Sequence, residues 1–196
     1  MPVFLLVGED QLCCELGRAI LQQVCPGSSI SSEIVTGGFG KLKEKIPSLN
    51  KLAPHMPVLM IADGDQNPCV VAQRNSWLPD DPHENLLLRL AVREAEAWVL
   101  ADHAAWSEFA EVSAAKIPPS PDELQDPKQS LLGLVTKCKK RILREEMLPS
   151  KSSSAKIGLG YNIHMATFVR TAWSALRAAE RSSSLRRAIA SLERFK

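Results

Sequence analysis

The sequence predicts an α/β fold, a mostly parallel sheet flanked by helices, followed by a helical and basic C-terminal half. Three observations predict it. Val3 to Val7 and Pro57 to Ala62 are continuous apolar runs of strand length, the mark of strands buried on both faces. Helical periodicity lies between the strand candidates, and a β-α-β-α order closes into a parallel sheet with helices on its faces. The charge is also divided: residues 1–126 hold 9 Lys and Arg against 18 Asp and Glu, whereas residues 127–196 hold 15 against 4. The expected organisation is an α/β core over 1–116 and a basic helical extension over 117–196 packed on that core.

The elements follow in order. Gly8-Glu9-Asp10 ends the first strand, and Asp10 is suited to cap the next helix, which carries Leu12, Leu16, Ile20 and Val24 at four-residue spacing. That helix stops before Cys25-Pro26-Gly27. Ile30 to Val35 alternates polar and apolar and reads as a second strand; Gly37-Gly38-Phe39-Gly40 precedes a Lys-rich helix near 41–52. Pro57 to Ala62 ends at Asp63-Gly64-Asp65, a short helix covers Cys69 to Trp77, and Pro79 to Pro82 is a loop. Leu86 to Val92 is the fourth strand and runs into a helix that begins within Arg93 to Trp98. Beyond Asp102 the character changes: Pro118-Pro119-Ser120-Pro121 reads as a linker, and helices are expected near 127–146, 161–180 and 183–195, with a Ser-rich break at 150–154.

Length and composition bound the class. A chain of 196 residues buries roughly 70% of its unfolded surface and needs no disulfide or metal staple. Five cysteines with no CxxC pair suit a reducing cytoplasm. No apolar run has the length of a membrane span, and the first residues read as a strand and not as a signal peptide, so no membrane partner is expected.

Three acidic clusters end three predicted strands: Glu9 with Asp10, Asp63 with Asp65, and Glu94 with Glu96. In an open α/β sheet, ligands bind at that carboxyl edge. Asp63 and Asp65 are two apart, so an extended backbone would point both carboxylates the same way, with Gly64 free to turn between them. Like charges this close need a cation among them, and carboxylate oxygens suit Mg²⁺ or Mn²⁺. The bland readings are a helix N-terminus for Glu9, Asp10, Glu94 and Glu96, and a plain turn for Asp63 to Asp65. Glu15 lies further along its helix and reads as part of a solvated face. Gly37 to Leu42 lacks the first glycine and the Ser or Thr of a phosphate loop. The four histidines and five cysteines form no zinc pattern. Cys13, Cys14 and the four tryptophans read as core. In the basic half, Lys137, Lys139, Lys140, Arg141 and Arg144 fall within eight residues, and on one helix they would form a stripe for a phosphate backbone.

Gly8-Glu9-Asp10 after one buried strand and Asp63-Gly64-Asp65 after another resemble the Toprim domain of topoisomerases, primases and the overcoming-lysogenization-defect nucleases. The Leu90-Ala91-Val92-Arg93-Glu94-Ala95-Glu96-Ala97-Trp98 stretch, with Leu100-Ala101-Asp102, resembles a segment of a bacterial Toprim-like family found beside ATPases of the SMC/ABC type in defence loci. Asp126-Pro127-Lys128 and the Gly158 to Ala166 segment look like that family as well. The resemblance implies Glu9 as the Toprim glutamate, Asp63 and Asp65 as the metal pair, Glu94 or Glu96 as a further acid, and Lys151 or Lys156 as a lysine at the scissile phosphate. It also implies a separate ATPase subunit as partner; a homo-oligomer stays open.

The expected function is therefore an Mg²⁺- or Mn²⁺-dependent nuclease acting on DNA or RNA, the effector of an anti-phage system. A second reading is a subunit that keeps the fold without catalysis. A third is a receiver-like module in which Asp63 accepts a phosphoryl group, although Asp65 has no role there.

Overall fold

Alternation inside each apolar run decides which side chain meets which layer. The computed structural model describes residues 1–65, 69–150 and 154–196. Strands β1 (Val3–Gly8), β2 (Ser29–Val35), β3 (Val58–Asp63) and β4 (Leu86–Ala91) form one sheet in the order β2-β1-β3-β4, with every pair parallel. Phe4, Leu6, Leu59, Ile61, Leu87 and Ala91 point to one face, and Leu5, Val7, Val58, Met60, Leu86 and Leu88 to the other. β1 and β3 are central and buried on both faces. β2 is an edge strand with most of its residues exposed, which is why its sequence alternates.

The first face is covered by helix α1 (Gln11–Val24), whose Leu12, Leu16, Ile20 and Val24 are all buried, as their spacing predicts. Asp10 caps it, its carboxylate accepting a hydrogen bond from the Cys13 amide at 2.8 Å. The second face is covered by α2 (Phe39–Leu52) through Leu42, Ile46 and Leu49, and by α3 (Val70–Trp77) through Trp77.

After β4 come α4 (Glu96–Ala101) and α5 (His103–Ala110), with Asp102 between them. The C-terminal helices are shorter than expected, and each predicted long helix is broken. Residues 127–146 hold α6 (Pro127–Val135) and α7 (Arg141–Met147); 161–180 hold α8 (Tyr161–Thr171) and α9 (Ala175–Ala179); α10 (Ser183–Ala190) ends before a 3-10 turn at Glu193–Phe195. Breaking the rods lets each piece turn its apolar residues inward. Leu131, Val135, Met147, Phe168 and Leu185 all join the core on the α1 face of the sheet. The proline stretch is no loose linker: Pro121 is buried, and the Asp122 carboxylate accepts hydrogen bonds from Ser182 Oγ at 2.8 Å and the Ser184 amide at 3.0 Å.

All four tryptophans are core residues, as expected. The Trp98 indole donates to Ser184 Oγ at 2.7 Å, and the Trp173 indole to the Trp98 carbonyl at 3.0 Å. Among the described residues no helix is long and apolar enough to cross a membrane.

Candidate active site

Parallel strands deliver their C-terminal residues to one edge, so the acids that follow β1, β3 and β4 are brought near one another. Glu9 leaves β1 with its amide bonded to the Ile61 carbonyl, and its carboxylate reaches across to accept from the Asp63 amide at 3.1 Å. Its own carbonyl takes the Gly37 and Gly38 amides at 2.8 and 3.1 Å. Burial pushes the Glu9 carboxyl up, and the neighbouring charges of Asp65 and Asp10 add to this; hydrogen bonds from the Asp63 and Phe39 amides oppose it.

Asp63 ends β3 and is largely withdrawn from water. Its Oδ1 accepts from the Ala95 amide at 2.8 Å, which orients the carboxylate. Burial raises its proton affinity well above the ordinary range, followed by the charges of Glu96, Asp10 and Glu9. At Asp65 the chain is no longer extended. The backbone turns there with φ 46°, Asp65 is exposed, and its amide bonds the Arg93 carbonyl at 2.7 Å. The two-residue spacing placed both carboxylates on one side only for an extended chain, and the chain is not extended past Gly64. Gly64 serves close approach: a Cβ there would stand 2.7 Å from the Ala91 carbonyl oxygen and 2.6 Å from Val70.

Glu94 and Glu96 meet a partner that the sequence reading did not assign. The Glu94 carboxylate accepts the Lys128 amide at 2.8 Å and so caps the start of α6. The Lys128 ammonium lies 3.4 Å from Glu96 and 3.7 Å from Glu94, and the Tyr161 hydroxyl donates to Glu96 at 2.7 Å. Glu96 is buried, and burial raises its proton affinity in spite of Lys128 and Tyr161. Burial works against the Lys128 charge, but Glu96, Glu94, Asp63 and Asp10 together hold its proton more firmly than usual. One cation thus already sits within electrostatic reach of four of the acids.

Among the described residues no three His, Cys, Asp or Glu side chains stand together as a ready metal cage. The donor set still fits a hard cation. Mg²⁺ is commonly held by one or two carboxylates with water completing its shell, and Glu9 and Asp63 supply two carboxylates at this edge whose charges repel one another.

The basic residues fall out differently. Lys137, Lys139 and Lys140 lie between α6 and α7, so the expected single helical stripe is split. Arg144 turns back to the Cys138 and Lys139 carbonyls, Arg141 pairs with Glu145 at 2.6 Å, and the Lys140 ammonium sits 5.4 Å from the centre of the Phe109 ring. Lys137 and Lys139 are exposed. Lys156 is exposed in the segment before α8, five residues from Tyr161, and Lys151 lies outside the described residues.

One buried acid corrects the sequence reading, and a second was given no role by it. Glu15 is not on a solvated face: it is buried, and Arg18 and Arg170 both pair with it. Although its burial works the other way, those partners and Gln11 hold the Glu15 carboxyl below its ordinary value. Asp102 is fully buried, caps α5, accepts from the Ser174 amide at 2.8 Å and pairs with Arg177 at 2.8 Å. The only sequence signals for Lys128 and Asp102 were their places in the Asp126-Pro127-Lys128 and Leu100-Ala101-Asp102 segments. Compared with protein-family models, curated proteins and solved structures, the chain matches none of them.

Proposed function

We propose that the carboxyl edge of the sheet is a divalent-cation site for hydrolysis of nucleic acid phosphodiesters. One observation carries the reading: Glu9 after β1, Asp63 at the end of β3 and Glu96 at the start of α4, the helix that follows β4, lie close enough that neighbouring acids help raise the proton affinity of Glu9 and Asp63. Desolvated acids that repel one another bind a cation more readily than they bind nothing. Glu9 and Asp63 would hold Mg²⁺ or Mn²⁺, with exposed Asp65 beside them. The ion supplies charge stabilisation at a phosphoryl oxygen and a more acidic water.

The chain's own residues do the rest. The Ala95 amide orients Asp63, and the Asp63 amide orients Glu9. Lys128 holds Glu96 against Tyr161 and leaves a positive charge facing the site. Overall, water adds to phosphorus, the bond from phosphorus to the leaving oxygen breaks, and the water's proton ends on that oxygen. The resemblance of residues 90–102 extends the proposal to a defence nuclease working with a separate ATPase subunit. Lys128 also favours a second reading, a catalytically silent subunit, because an ammonium can serve as the permanent counter-charge of the same acids.

The test incubates purified protein with plasmid DNA and total RNA in Mg²⁺, Mn²⁺ or EDTA. Cleavage in metal, lost in EDTA and in Asp63→Asn, is the expected result. Millimolar Mn²⁺ should also raise the melting temperature of the wild type and not of Asp63→Asn, since a ligand at about 100 times its dissociation constant adds about 2.7 kcal/mol. Stabilisation by Mn²⁺ without cleavage keeps the metal site and rejects hydrolysis; the absence of both effects rejects the metal site and selects the silent subunit with Lys128 as its counter-charge.

A further inference from the structure

We propose that the Phe39 ring is a platform on which a base of an unpaired nucleic acid strand stacks beside the acidic edge. The inference rests on the reading of that edge as a phosphodiester site and names its substrate as single-stranded. Phe39 is the first residue of α2 and is 51% exposed, yet its ring is held in place. It stacks on the buried Trp77 ring, with centroids 6.0 Å apart and an interplanar angle of 19°. One face is thereby fixed against Trp77, and half of the side chain is left to solvent.

The backbone ties this ring to the acids. The Phe39 amide lies near enough to the Glu9 carboxylate to favour its charged form, and the Gly37 and Gly38 amides bond the Glu9 carbonyl. The turn that makes those bonds runs through φ 74° at Gly37 and 130° at Gly38, values that side chains strongly disfavour, so the approach to Phe39 is built from glycine. A Cβ at Gly38 or Gly40 would meet no atom within 4 Å, so the backbone on either side of Phe39 borders open space. Lys41, Lys43 and Lys45 follow on α2 and are all exposed, giving positive charge for the phosphates of a strand whose base lies on Phe39. Stacking on an aromatic face is indifferent to sequence but demands a base free of its own helix.

The probe is a fluorescein-labelled twelve-nucleotide oligo(dA), followed by anisotropy in EDTA, so that binding is read apart from hydrolysis. Phe39→Ala and Phe39→Leu should each weaken binding about tenfold or more, and Phe39→Trp should restore it. Leu keeps an apolar side chain at the start of α2, so its loss separates a planar surface from mere hydrophobic contact. Neither an abasic strand of equal length nor the corresponding duplex should distinguish the variants from wild type. Equal affinity of wild type and Phe39→Ala for oligo(dA) would overturn the proposal, as would an equal loss on the abasic strand. Sedimentation that shows a Phe39-dependent dimer and no strand binding would overturn it too and assign the ring to a second copy of the chain. A Phe39-dependent affinity with no cleavage in any metal would instead reject hydrolysis and leave the platform standing.

Discussion

Asp63 shows how burial and neighbouring charge act on one residue. A carboxyl whose proton is held more tightly in the folded than in the unfolded chain stabilises the fold only while protonated. That contribution is present below the unfolded value and is lost as pH rises through the folded one. Asp63, Glu9 and Glu96 all shift in this direction, so ionising them works against folding. Asparagine keeps an Oδ1 for the Ala95 amide and removes the charge. A tenfold gain in proton affinity is worth about 1.4 kcal/mol. In metal-free buffer, Asp63→Asn should exceed wild type in urea stability by about that much or more at pH 8, and match it near pH 4. A constant difference across that range would show that the charge is not responsible. The same shifts mean that metal binding should weaken as pH falls, because protons compete for the same oxygens. Lys128 predicts the converse. Lys128→Met leaves buried Glu96 with Tyr161 alone, and should cost about 3 kcal/mol at pH 8, less at pH 5, where Glu96 can take up a proton. If the stability of Lys128→Met does not depend on pH, the ammonium is not the counter-charge.

Elements are joined by polar side chains at their ends, and Asp102 is the clearest case. Its carboxylate caps α5, holds the Ser174 amide at the start of α9 and pairs with Arg177 within α9. Asp102→Ala removes a cap worth about 1 kcal/mol and orphans a backbone donor worth about 1–3 kcal/mol. A loss of about 2–4 kcal/mol in chemical denaturation is expected, and a change under 1 kcal/mol would mean that water replaces the carboxylate at no cost. The split of the basic stripe is also an event at helix ends. α6 stops at Val135 and α7 restarts at Arg141, and the Arg144 guanidinium satisfies carbonyls that the break exposes. A residue counted as phosphate-binding by its charge is here engaged with the backbone. Charge density along a sequence does not reveal this, because a helix and a helix-turn-helix carry the same composition.

At the scale of the molecule, the acidic and basic halves share one core. Phe4, Leu6 and Ile61 of the sheet lie in the same apolar cluster as Leu131, Met147, Phe168 and Leu185. The charge division is partly neutralised across the boundary: Arg170 reaches Glu15, Arg177 reaches Asp102, and Lys128 reaches Glu94 and Glu96. A chain ended at residue 126 would bare the sides of α1 and α4 that pack against α6, α8 and α9, and leave Glu15 without Arg170. It should bind an apolar dye and unfold without a sharp urea transition. A cooperative transition with the stability of the full chain would show that the C-terminal helices merely decorate the core.

What the sequence determined by itself is what neighbours along the chain decide. Apolar runs of strand length marked β1, β3 and β4, four-residue spacing marked α1, and Asp10 marked its start. Parallel order then sent Glu9, Asp63 and Glu96 to one edge, and that too was legible, since a strand's carboxyl end follows from topology. What only the tertiary structure decided are pairings across long separations. Glu15 was legible as one acid on a helix, but not as a buried acid awaiting Arg170, 155 residues away. Lys128 meets Glu96, and Tyr161 meets the same carboxylate from 65 residues away, and no periodicity encodes either contact. At Asp65 the chain leaves the extended form, with the Gly64 amide on the Ala91 carbonyl and the Asp65 amide on the Arg93 carbonyl. Local pattern records which face of an element is buried. Which partner lies against that face depends on how the layers close, and closure is settled by the packing of the whole chain.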